Sequence, residues 1–239
     1  MNDLVKMVSY GSCAELETIL NEAAIGAAYA RKEKIEMDDL VKSVLRMQYD
    51  APDNFTKKSS DALKEIALHE AGHLVVSEVL TPGSVGLASL RTAGRDSTGG
   101  FIHRCLPVRR RAHHILISLA GKAAVELYYS GTCASGCHGD IAKAASNIRD
   151  AISENGTCGF GMIDVANHRF PESSESFNSR NESVVHAELE RYMFKAREIL
   201  IKNRDFLEKA AQMLSEKETL LYSDIKMLRE SIKITEVVL

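Results

Sequence analysis

Two histidines four residues apart, with a glutamate beside the first, stand in the stretch ALHEAGHLVV at residues 67–76. On an α-helix such residues project from one face, so His69 and His73 can offer two imidazoles to one cation, with Glu70 one step round. That set supplies two of the three protein ligands of a catalytic zinc, plus a general base. Zinc of this kind activates water, a carboxylate takes the proton, and the chemistry is hydrolysis of a polarised carbonyl such as that of a peptide bond.

The bland alternative is a polar stripe on an ordinary helix. A His-Glu-x-x-His string arises by chance in about 1 chain in 50 of this composition, so the string alone decides little. Its surroundings decide more. Ile66, Leu74, Val75 and Val79 make the helix apolar, and unpaired imidazoles and carboxylates are costly in such a setting. Gly72 lowers helix propensity by about 1 kcal/mol relative to alanine, which points to a close approach that a side chain would block.

A third protein ligand is then required. The continuation H-x-x-G-x-x-H is absent after His73, where LVVSEVL follows. Glu126, Cys133, Cys137, His138 and Asp140 are all candidates, although on local sequence alone an aspartate placed like Asp140 is more often a helix N-cap. Spacing leaves the choice open. The pair Cys133 and Cys137 has no partner pair at zinc-finger distance, which favours free thiols over a structural metal.

The elements that must position these residues follow from periodicity and caps. Ser12 with Glu15 forms a capping-box pattern, and Leu16, Ile19, Leu20, Ala23, Ala24 and Ala27 recur at helical spacing behind it. A second helix is expected to begin near Met37. Residues 50–60 lack periodicity and read as a linker. Asp61 caps the motif-bearing helix over 62–80, which Thr81-Pro82-Gly83 ends. Short strands are expected over 85–91 and 99–105 as a small hairpin-like sheet. Helical spacing returns over 108–129, a loop follows, and Asp140 opens a helix to about 154. Residues 156–182 read as irregular, and helices over 182–203, 205–214 and 223–231 close the chain.

Of the 239 residues, 45% are hydrophobic and 26% charged, with a formal net charge of -3, which fits an ordinary globular protein and not a nucleic-acid-coating one. Nucleic acid is therefore not an expected partner. Apolar runs such as that at 115–120 fall far short of the roughly 20 residues that cross a bilayer. Five scattered cysteines suit a reducing compartment. The expectation is a cytoplasmic chain without a membrane segment.

Several stretches together resemble the C-terminal part of the FtsH-type AAA proteases, the ATP-dependent zinc metalloproteases. NEAAIGAAYAR at residues 21–31 is similar to the family's AAA lid helix, ALHEAGH at 67–73 to its zinc motif, and AGKAAVEL at 120–127 to the stretch before the third ligand. SGCHGDIAKA at 135–144 resembles the ligand region itself, and NRDFLEKAAQMLSEKETL at 203–220 the closing helices. The resemblance implies a mainly α fold: a helical AAA lid over residues 1–50, then over 51–239 a mostly α-helical zinc peptidase domain with a small β-sheet. It implies His69, His73 and Asp140 as zinc ligands with Glu70 as catalytic base. It also implies unfolded proteins as substrates and self-association into a ring, a hexamer in the family.

Departures mark a divergent member. The family's serine-asparagine before the ligand aspartate is here His138-Gly139, and its later tryptophan-glycine is Asn155-Gly156. His138 is expected to face solvent. No G-x-x-x-x-G-K-[ST] string occurs, so the resemblance places the ATPase, and any membrane anchor of a parent protein, upstream of this sequence. Two non-enzymatic expectations stand beside the peptidase: an inactive peptidase-like scaffold for oligomerisation or protein binding, and an independent interaction module in the first fifty residues.

Overall fold

The computed structural model describes residues 2–51, 60–91, 99–129, 137–155 and 175–237. Within them the chain is mainly helical with one small sheet. The helices are α1 (Asn2–Met7), α2 (Cys13–Tyr29), α3 (Met37–Tyr49), α4 (Ser60–Leu80), α5 (Arg111–Tyr128), α6 (Cys137–Asn155), α7 (Glu175–Lys202), α8 (Arg204–Lys217) and α9 (Tyr222–Ser231). Strands β1 (Val85–Ser89), β2 (Phe101–Arg104) and β3 (Thr219–Leu221) form an antiparallel sheet in the order β2-β1-β3.

Local chemistry sets the element starts. Ser12 caps α2 with a complete capping box: the Glu15 amide donates to Ser12 Oγ at 3.2 Å, and the Ser12 amide donates to Glu15 Oε2 at 2.6 Å. After α2, Lys32 Nζ lies 2.8 Å from the buried carboxylate of Asp39 and ties α3 to the turn before it. The end of α4 is fixed by a fully buried carboxylate. Glu78 accepts from the amides of Gly83 at 2.7 Å and Val85 at 2.8 Å, and from Arg229 Nη1 of α9 at 3.0 Å. A charge this deep is stable only because both of its oxygens accept hydrogen bonds and a guanidinium faces it.

Two apolar clusters hold the elements together. The larger gathers Leu74, Val75, Ile115, Leu116, Ile148, Ile199 and Phe206 from α4 to α8. In the smaller, Met7, Ile19, Val44 and Leu45 of the first three helices meet Leu87 of β1, with Phe101 and Leu221 packed against them. Helix α4 runs through the middle of the larger cluster, and residues 71–79 are all buried. Gly72 is where α4 meets α5. A Cβ there would stand 2.5 Å from the Ala120 carbonyl oxygen and 2.7 Å from Ala124 Cβ, so the expected close approach is present.

Several boundaries differ from the sequence expectation. Helix α6 begins at Cys137, so Asp140 sits in its first turn instead of capping it. Helix α7 begins at Glu175, inside the stretch read as irregular, of which 156–174 lie outside the described residues. The expected hairpin is real but carries a third strand, β3, that pairs with β1 across some 130 residues of sequence. Helix α1 was not expected. The linker expectation at 50–60 falls almost wholly outside the described residues.

The Gly72 contact gives a stability prediction. Gly72→Ala is expected to destabilise the fold by about 1–3 kcal/mol through overpacking of α4 on α5, read from urea unfolding midpoints.

Candidate metal centre

The sequence brings His69 and His73 to one side of α4, and the fold brings Asp140 of α6 to meet them. His73 Nε2 lies 3.0 Å from His69 Nε2 and 3.1 Å from Asp140 Oδ2, and His69 Nε2 lies 3.3 Å from the same oxygen. Among the described residues this is the one group of His, Cys, Asp or Glu side chains that converges as a metal site does. A tetrahedral zinc with bonds of about 2.0–2.2 Å keeps its nitrogen and oxygen donors about 3.3–3.5 Å apart, close to the observed triangle.

Hydrogen bonds behind the three atoms aim them. His73 Nδ1 lies 2.6 Å from the Ile117 carbonyl, a pure acceptor, so Nδ1 carries the hydrogen and Nε2 keeps its lone pair for the centre. On the far side of His69, Nδ1 lies 3.9 Å from Cys137 Sγ. Three lone pairs facing one another inside a protein repel unless a cation or proton stands among them.

Glycine makes the room. A Cβ at Gly121 of α5 would fall 2.5 Å from both His69 Cε1 and His73 Nε2, so the helix backbone itself forms the wall behind the imidazoles. A Cβ at Gly100 would fall 2.6 Å from Glu70 Cγ, and the Gly100 amide donates to Glu70 Oε1 at 3.1 Å. Glu70 is thus buried, beside the triad, and held by the backbone that leads into β2.

The electrostatics follow from burial and proximity. Burial pushes the Glu70 carboxyl above its ordinary pKa, against the pull of the neighbouring imidazoles. Burial also presses His73 downward, but the hydrogen bond to Asp140 and the charge of Glu70 outweigh it and hold the imidazole above its usual value. For Asp140, burial is likewise outweighed: the contacts with His69 and His73 hold the carboxyl well below the usual carboxylate range.

The other candidate ligands are placed elsewhere. Glu126 is engaged by Lys122 at 2.6 Å and by Arg197, and is not among the side chains that converge. Cys137 is buried beside the back of the His69 ring, and burial pushes its thiol up to about 11. His138 is exposed. Cys133 lies outside the described residues.

Residues 56–228 match the sequence model of peptidase family M41. The chain belongs to that family. Similar proteins include the ATP-dependent zinc metalloprotease FtsH 3 of Symbiobacterium thermophilum, 28% identical over 92% of this chain. The ATP-dependent zinc metalloproteases FtsH of Streptobacillus moniliformis and Thermotoga maritima are 29% identical over 99% and 30% identical over 87%. The chain spans 38%, 36% and 37% of those three proteins. Within this M41 frame, sequence reasoning missed Gly121, Gly100 and the Ile117 carbonyl. The available signal was the helix-weakening Gly121, second residue of AGKAAVEL and well inside the helical spacing of 108–129.

Gly121 yields a direct prediction. Gly121→Ala is expected to lower zinc affinity by about 10- to 100-fold, as loss of ligand orientation does, in a chelator competition.

Proposed function

We propose that this M41 chain is a zinc-dependent endopeptidase that hydrolyses peptide bonds of unfolded proteins. The observation that carries the reading is the convergence of His69 Nε2, His73 Nε2 and Asp140 Oδ2 beside the buried, amide-held Glu70. His69, His73 and Asp140 are the proposed ligands. Two neutral imidazoles and one carboxylate suit zinc and leave one side of a tetrahedron for water and substrate. Zinc held there supplies Lewis acidity, lowering the pKa of water and polarising the scissile carbonyl.

Glu70 takes the proton of the attacking water and returns it to the departing amine. Its place suits that task, because the buried carboxylate lies one residue from His69 and beside the converging side chains. The Gly100 amide fixes one carboxylate oxygen, so the other stays available to the proton.

Coupling to an AAA ATPase is part of the proposal, supported by the names of the relatives, which are ATP-dependent proteases of which this chain spans 38% and 36%. In that reading residues 1–50 are the end of the AAA lid, residues 51–239 the metallopeptidase domain, and the assembly a hexameric ring. No helix among the described residues is long and apolar enough to cross a membrane.

Two substitutions test the reading on an unfolded substrate such as casein. Glu70→Gln is expected to retain zinc while cleavage falls by about 10²–10⁴-fold, the usual contribution of a general base. Asp140→Ala is expected to lose zinc, read by metal analysis after dialysis. Cleavage by Glu70→Gln at the parental rate would defeat the assignment, and unchanged zinc in Asp140→Ala would remove the third ligand.

A further inference from the structure

The chain is acidic overall, yet residues 104–114 read RCLPVRRRAHH without one carboxylate. They join the end of β2 to the start of α5. That start is electrostatically awkward: the first turn of α5 has no acidic residue, Arg110 occupies the N-cap without a side-chain cap, and cations there oppose the helix dipole. Arg111 is 3.4 Å from Asp150. Arg109, Arg110 and His114 are exposed, and His113 is half-buried. Arg104 donates Nη2 to the Leu106 carbonyl at 3.1 Å, while its Nε is buried with no partner among the described residues. Burial and the charges of Arg110 and Arg104 together hold His113 below its ordinary pKa, which favours the neutral ring as a hydrogen-bonding group beside the arginines.

The location of this cluster relative to the metal centre is fixed by two independent elements. Along β2, Arg104 is four residues past Gly100, whose amide holds Glu70, a run of about 13 Å. Along α5, His113 precedes Ile117 and Gly121 at four-residue intervals, so it extends the same stripe that touches His73 and walls the imidazoles, about 12 Å away. Strand β2 is an edge of the sheet among the described residues. An extended chain lying along that edge with its scissile bond at Glu70 reaches the cluster after about four residues.

We propose that Arg104, Arg110, His113 and His114 form a reading site for acidic side chains of the polypeptide undergoing cleavage, three to five residues from the scissile bond. This rests on the peptidase reading. A polypeptide fits better than a lipid surface or a nucleic acid because Arg104 ends the open edge of β2 and His113 lies on the site-facing stripe of α5. Arg104 and His113 are also recessed, as a surface that docks on a flat anionic layer would not require.

Binding of unstructured peptides tests the site without relying on turnover. The probes are three fluorescein-labelled twelve-residue peptides differing only in four consecutive positions, all Glu, all Gln or all Lys. They are titrated into zinc-loaded Glu70→Gln protein and read by anisotropy. The Glu peptide is expected to bind about 5- to 30-fold tighter than the Gln peptide at low salt, with the gap closing in 0.5 M NaCl. The double variant R110E/H114E, checked for folding by its circular dichroism melt, is expected to favour the Lys peptide. Equal affinities for Glu and Gln peptides, no binding of any peptide, or an order unchanged in the double variant would overturn the proposal. So would binding of phosphatidylserine vesicles or poly(U) without discrimination among peptides. Charge-selective binding by a wild-type protein that leaves casein intact would instead defeat the catalytic reading and leave the reading site standing.

Discussion

The contact between α4 and α5 is the constraint on which the site depends. Two helices normally pack with side chains between them at 8–10 Å. Here Gly72 on one helix and Gly121 on the other remove the side chains at the crossing, and backbone meets its neighbour directly. Close approach lets the Ile117 carbonyl reach His73 and places the Gly121 backbone against both imidazoles. Packing and ligand orientation are therefore one feature, and a methyl group at either glycine disturbs both helices together.

From that crossing the rest of the centre is assembled by longer-range pieces. Helix α6 packs on α5 and delivers Asp140 from its first turn, where a carboxylate is also favoured by the helix dipole. The sheet delivers the Gly100 amide to Glu70, and β1 is itself anchored through Val85 to the buried Glu78 at the end of α4. One helix thus carries two of the proposed ligands, the proposed base, and the carboxylate that fixes the sheet steering that base.

Much of this was legible in the sequence because it is local. The helical spacing of His69 and His73, the capping box at Ser12 and the close approach at Gly72 are all written within a few residues of where they act. The proposed third ligand was not local. Asp140 came from resemblance to a family, while spacing alone left Glu126, Cys133, Cys137 and His138 open; among the described residues it is Asp140 that converges with the two imidazoles. Glu126 is taken by Lys122 and Arg197, and His138 turns outward. The pairing of β3 with β1 was invisible for the same reason: three residues after a long helix carry no strand periodicity, and their partner lies far up the chain. Gly121 and Gly100 were present as letters, but what they make room for is a neighbour that only the fold supplies.

The central claim is that the metal is bound by two imidazoles and one carboxylate. X-ray absorption at the zinc edge of the zinc-loaded protein tests it most directly. The account predicts a shell of nitrogen and oxygen at about 2.0–2.1 Å with the outer scattering of two imidazole rings; a sulfur neighbour at about 2.3 Å would contradict it and place Cys137 or Cys133 on the metal.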